Sequence, residues 1–176
     1  MPNGEAITDS QTPAYLAEQA VKGSEECFVM ICRALEKKLF RTAKGILGNE
    51  TLALDAVSEA VFRAFKGIKR LREPQHVETW FIRIVLNVAN DMKRRQKHEV
   101  ITDTVPEGLY YDDHSELEFA EIIESLQVEL REIISLKYYS GYTLHEISEI
   151  LNVPEGTIKS RLNRALNILR LEVLHE

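Results

Sequence analysis

Arg83, Asn87, Asn90 and Arg94 recur at helical steps along one stretch of the chain, with Asp91 and Lys93 among them. Arg and Lys neutralise phosphates, and Asn offers both a donor and an acceptor to a base edge. Further on, Thr157, Lys159, Ser160, Arg161, Asn163 and Arg164 are left facing outward by an apolar pattern at Ile158, Leu162, Ala165, Leu166 and Leu169. From Thr157 to Arg170 there are four basic residues and no acid. The guanine acceptors of a major groove call for Arg or Lys, which Asn and Ser can supplement. Both stretches therefore have the side chains of a nucleic-acid contact. A third set, Asp55, Glu59 and Arg63, is spaced i, i+4, i+8 on an outward row that is either a solvated face or a docking face. Catalytic spacing is missing: His76, His98, His114, His145 and His175 are scattered, without an HExxH, GxSxG or phosphate-binding glycine loop. Cys27 and Cys32 are too few for a disulfide framework or a zinc site, so neither metal nor cofactor is expected and the chain is not read as an enzyme.

Helices must carry these residues. Thr143 with Glu146 three residues on forms a capping box, and Leu144, Ile147, Ile150 and Leu151 give a short helix its buried face. Asn152-Val153-Pro154 makes a tight turn, with Pro154 suited to the first position of the next helix. Short helix, turn and longer helix form a helix-turn-helix, whose second helix enters the major groove. A preceding helix holds Leu130, Ile133, Ile134, Leu136, Tyr138 and Tyr139 and closes at Ser140-Gly141. In the N-terminal half, Ser24 caps a helix with Phe28, Ile31, Leu35, Leu39 and Ala43 inward, ended by Gly45 to Gly48. The next, from Glu50, is expected to turn Leu54, Val57, Val61, Ala64 and Phe65 inward. Trp80, the only tryptophan, suits the core better than a stacking platform.

The net charge of −6 conceals two blocks. Residues 66–98 hold nine basic and three acidic side chains, whereas 99–130 hold ten acids and no Lys or Arg. Screening limits each to a reach of about 8–10 Å, so they act as separate objects. Pro106, Gly108 and Asp112-Asp113 mark the acidic stretch as a linker. No run alternates with period two. The expected fold is all-α: two small helical domains joined by a flexible acidic linker, the second a helix-turn-helix. The divisions are a leader at 1–21, a helical domain at 22–98, a linker at 99–114 and a second domain at 115–176. No apolar run nears the roughly 18 residues that span a bilayer, and the opening segment lacks the basic start of a signal peptide. A cytoplasmic setting without membrane insertion is the default.

The stretch from Tyr142 to Ala165, with Glu146-Ile147, Val153-Pro154, Gly156-Thr157, Lys159-Ser160-Arg161-Leu162 and Arg164-Ala165, closely resembles region 4 of extracytoplasmic-function (ECF) sigma factors. The helix from Trp80 to Arg94 is similar to their region 2 signature, and Ala20 to Phe28 to their opening. The resemblance implies a promoter-specificity subunit of bacterial RNA polymerase. It would place Asp55, Glu59 and Arg63 on the polymerase clamp, with further contact at the flap. Arg83, Asn87, Asp91, Lys93 and Arg94 would meet the melted minus-10 strand, and Thr157, Lys159, Ser160, Arg161, Asn163 and Arg164 the minus-35 duplex. Core polymerase, promoter DNA and an anti-sigma factor are the partners it implies. The competing expectation is an autonomous helix-turn-helix regulator, although a sensor module has no reason to contain the Trp80 to Arg95 helix.

Overall fold

The computed structural model describes residues 12–100, 123 and 125–173, and among these every regular element is helical. Helix α1 spans Pro13–Val21, α2 Glu25–Leu47, α3 Glu50–Gly67 and α4 Val77–Val100, with single 3-10 turns at Ile68–Arg70 and Pro74–His76 between the last two. Helix α5 spans Val128–Ile134 and runs into a π-helical turn at Ser135–Tyr139; α6 (Leu144–Leu151) and α7 (Glu155–Val173) follow. The expected linker lies, except for the end of α4, outside the described residues.

Local chemistry accounts for the boundaries. Ser24 and Asn49 accept hydrogen bonds from the Cys27 and Leu52 amides, occupying donors that the first turns of α2 and α3 leave without partners. Gly48 closes α2 at φ 69°, a left-handed conformation that favours glycine. Gly45, expected to help end α2, instead lies buried within it. The Pro74 ring sits at the first position of its turn, where it has no helical hydrogen bond to break.

Helices α2, α3 and α4 pack around Phe28, Ile31, Leu35, Phe81, Ile82 and Val85, with the Phe28 and Phe81 rings stacked at 6.3 Å. Helix α3 differs from expectation. Its fully buried face is Ala53, Ala56, Ala60 and Ala64; Leu54 and Phe65 are 55% and 46% exposed, and Val57 and Val61 only half-buried. Small residues every three or four positions let α3 lie close against its neighbours, which leaves no room for its large side chains on that face. Trp80 is also only half-buried, its ring 3.3 Å from where a Cβ on Gly67 would stand. Helix α1 buries Leu16, Ala17 and Ala20 against α2 and the turn at Pro74–His76.

The C-terminal helices pack Leu130, Ile133 and Ile134 of α5 with Ile147 and Ile150 of α6 and Ile158, Leu162, Ala165 and Leu169 of α7. Leu166, expected inside, is 37% exposed. The two groups of helices share one continuous apolar core: the π turn lies on α2, and α6 touches α4.

Candidate nucleic-acid interface

The helix-turn-helix is built as its residue types require. The Thr143 hydroxyl accepts from the Glu146 amide at 3.2 Å, and the Glu146 carboxylate accepts from the Thr143 amide at 2.8 Å, so the capping box is complete. The Thr143 hydroxyl also donates to the Glu146 carboxylate at 2.8 Å, and the bonds that carboxylate accepts, first from the backbone N–H and then from the hydroxyl of Thr143, hold it below its ordinary range. Asn152 ends α6 at φ 53° and ψ 48°, a left-handed position that Asn tolerates better than most residues. Pro154 stands one residue before α7 rather than inside it, and its carbonyl accepts from the Thr157 and Ile158 amides. Among the expected groove residues, Lys159, Ser160, Asn163 and Arg164 are exposed, whereas Thr157 and Arg161 are half-buried. The Ser160 hydroxyl donates to the Thr157 carbonyl at 2.9 Å. Beside the turn, His145 lies 3.8 Å from Glu149 and 3.6 Å from Glu155.

Helix α4 carries its candidates differently. Asn87 is exposed and makes no side-chain hydrogen bond among the described residues. Arg83 reaches across to α6, donating from Nε to the Ile150 carbonyl at 2.5 Å and from Nη2 to the Glu149 carbonyl at 2.7 Å. Arg94 donates to Asp91 at 2.9 Å, and Lys93 is half-buried. Asn90 donates to Glu132 of α5 at 2.6 Å, and its own Oδ1 is buried without a partner. Burial pushes the Glu132 carboxyl up; the Asn90 hydrogen bond and, more weakly, the charges of Arg131 and Arg161 oppose that rise.

The row Asp55, Glu59 and Arg63 is exposed on α3, as expected. Arg63 donates to Glu59 at 2.6 Å and lies 3.9 Å from Asp91, which brings the row next to the α4 candidates. Sequence reasoning missed the apolar surface beside it, where Leu54, Phe62 and Phe65 are exposed and Lys66 lies 3.9 Å over the Phe62 ring. The alanine stripe was the signal that could have revealed it. No group of three metal-ligating side chains gathers among the described residues, and no described helix is long and apolar enough to cross a membrane.

Two family profiles match the chain: sigma-70 region 2 over residues 31–99 and sigma-70 region 4 over 116–169. The chain is 30% identical over 175 residues to the ECF RNA polymerase sigma factor SigW of Bacillus subtilis, a match that spans 89% of this chain and 94% of that protein. It is 29% identical over 160 residues to the RNA polymerase sigma factor SigV of the same organism, spanning 88% and 96%. Among solved structures, CnrH in complex with the cytosolic domain of CnrY superposes with a TM-score of 0.74 at 20% identity, over 93% of this chain and 98% of that one. The sigma factor RpoE of Bartonella quintana, in complex with the anti-sigma factor NepR, gives 0.59 at 22%, over 80% and 94%.

Proposed function

The chain belongs to the ECF sigma factors of the sigma-70 family, and on that premise we propose how its residues divide the work. As a member it is a promoter-specificity subunit of RNA polymerase, with core polymerase and promoter DNA as its partners. Lys159, Ser160, Asn163 and Arg164 of α7 read the minus-35 duplex, with Thr157 and Arg161 at the edge of that contact. Arg83, Asn87, Asp91, Lys93 and Arg94 of α4 hold the melted minus-10 strand, with Asn87 nearest the base. A base can be read on its pairing edge only after leaving the duplex, at a cost of a few kcal/mol. Coupling that step to polymerase binding supplies what a small domain alone lacks. Asp55, Glu59 and Arg63 dock on the polymerase clamp, and the region 4 helices meet the flap.

The observation that best supports this division is the exposed basic first half of α7, on a helix-turn-helix with a complete capping box. The chain acts by binding, without catalysis of its own, in the cytoplasm. CnrH and RpoE were each solved with a bound partner, NepR being an anti-sigma factor, and we extend an anti-sigma partner to this chain. Run-off transcription with core polymerase tests the proposal. A defined transcript that weakens with Arg164→Ala and with Asn87→Ala supports it; duplex binding without polymerase and without a transcript would point instead to an autonomous regulator.

A further inference from the structure

His145 stands where the two helices of the helix-turn-helix meet. It is the second residue of α6, and its ring nitrogens face carboxylates on both helices. Nε2 lies 3.8 Å from Glu149 of α6, and Nδ1 lies 3.6 Å from Glu155, the first residue of α7. A neutral imidazole has one N–H and one lone pair, so it satisfies one carboxylate and repels the other. The imidazolium presents a proton to each. At these distances the contacts are ionic rather than direct hydrogen bonds, and all three side chains are at least half exposed.

The charges around the ring oppose one another. Glu146, Glu149 and Glu155 favour a cation there. The positive end of α6 disfavours one, as do Arg83 of α4, bound at the Glu149 carbonyl, and Lys38 of α2, whose charge reaches Glu146. Histidine is the side chain whose charge changes between about pH 5 and 8, and at this position the change decides whether Glu155 is held.

Glu155 matters because of its place. The N-terminal half of a recognition helix enters the major groove, between phosphates of both strands. A free carboxylate on its first residue approaches those phosphates and opposes the exposed cations Lys159 and Arg164 that draw the helix in. Drawn back onto His145, the same carboxylate is partly neutralised and turned toward α6.

We propose that His145 is a positioning residue of the minus-35 contact: as the imidazolium it holds Glu155 against α6, and duplex binding therefore takes up a proton. The inference rests on the assignment of α7 to the minus-35 duplex. The phosphates favour the cation, so the bound chain holds this proton more tightly than the free chain. Affinity then rises as the pH falls through the range in which an imidazole gains its proton, and the gain is lost as the pH rises above it.

The test is binding of the holoenzyme to promoter duplex and to the same duplex with a scrambled minus-35 element, from about pH 5.5 to 8 at fixed ionic strength. The natural chain should bind the promoter about fivefold more tightly at the acid end. His145→Gln should show, at every pH, the affinity that the natural chain has at the alkaline end. Glu155→Gln should bind tightly throughout, and the double variant should match it, because His145 acts through Glu155. A profile that His145→Gln leaves unchanged overturns the proposal. A Glu155→Gln chain that keeps the full profile also overturns it, by making His145 a phosphate contact in its own right. Weaker binding by Glu155→Gln, with preference lost at a single base pair, overturns it by making Glu155 a base reader. A holoenzyme that binds promoter and scrambled duplex alike at every pH would instead remove the assignment of α7, on which the inference rests.

Discussion

Helices α4 and α7 both present Arg and Asn, yet they stand in different states. On α7, Lys159, Asn163 and Arg164 extend into solvent from a helix whose entry is fixed by the α6 cap and the left-handed Asn152. On α4, Arg83, Asn90 and Arg94 are bonded to protein atoms, and only Asn87 of the polar row is left without a hydrogen bond among the described residues. A duplex already displays its groove edges, so its reader gains from being rigid and ready. A melted strand exists only after polymerase has engaged, so its reader can remain occupied until then. The contrast between the two helices fits the proposed division, in which α7 meets the duplex first and α4 the strand that melts later.

The largest expected effect tests the ready half. Arg164→Ala should weaken promoter binding by about 1–3 kcal/mol if its guanidinium makes a bidentate base contact, and should relax preference at one minus-35 position. Competition binding of the holoenzyme to promoter variants measures both. A loss spread evenly over all sequences, with a shallower dependence on salt, would reduce Arg164 to a phosphate contact.

Asn87→Ala tests the other half. Losing the hydrogen bonds of one amide to a flipped base should slow strand opening by about tenfold, or roughly 1.4 kcal/mol, and leave minus-35 duplex affinity within about twofold. Fluorescence of a base analogue in the minus-10 element follows opening directly. Equal losses in both assays would make Asn87 structural and remove the distinction between the helices.

How far this division was legible in sequence depended on how local its causes were. The Ser24 cap, the capping box of Thr143 and Glu146, and the inward pattern of Ile158, Leu162 and Ala165 are all set within a few residues, and each stands as expected. On helix α3 hydrophobicity is a poor guide to the buried face. Close approach selects for size, and the alanines at 53, 56, 60 and 64 decided the matter. The hydrogen bonds of Thr42 with Ser135 and Ser140 were invisible for a different reason. Thr42 lies 93 and 98 residues from Ser135 and Ser140, and single hydroxyls at such separations carry no periodic signal. The same holds for Arg83, whose type announced a phosphate contact while its partners, the α6 carbonyls, have no side-chain identity at all.

A smaller effect separates presentation from chemistry. Thr143→Ala removes the hydroxyl that accepts from the Glu146 amide, and should cost about 1 kcal/mol of stability in the region 4 helices. Because every residue proposed for the groove is retained, promoter binding at saturating protein should change little, whereas urea unfolding should begin earlier. A large binding defect in a chain still folded at the assay temperature would mean that α6 takes part in recognition beyond holding α7 in place.

The smallest effect is one of pH, and two carboxylates make it signed. Glu146 is held below its ordinary value of 4.5 by the Thr143 bonds, so its contribution is present above that pH and is lost as the pH falls through the lowered value. It is exposed, and solvent screening keeps its share below about 1 kcal/mol. Glu132 is raised above 4.5 by burial, so the folded chain binds its proton more tightly than the unfolded chain does. Its contribution is present below 4.5 and declines as the pH rises toward the raised value, where the buried carboxylate ionises. Glu132→Gln keeps an acceptor for Asn90 but removes that titration. Unfolding midpoints measured from about pH 3 to 8 should therefore fall less steeply on the alkaline side for Glu132→Gln than for the natural chain, and Glu146→Gln should flatten the acid side instead. Identical profiles for Glu132→Gln and the natural chain would mean that Glu132 meets water in solution, and that the contact between α4 and α5 is looser than its 2.6 Å hydrogen bond indicates.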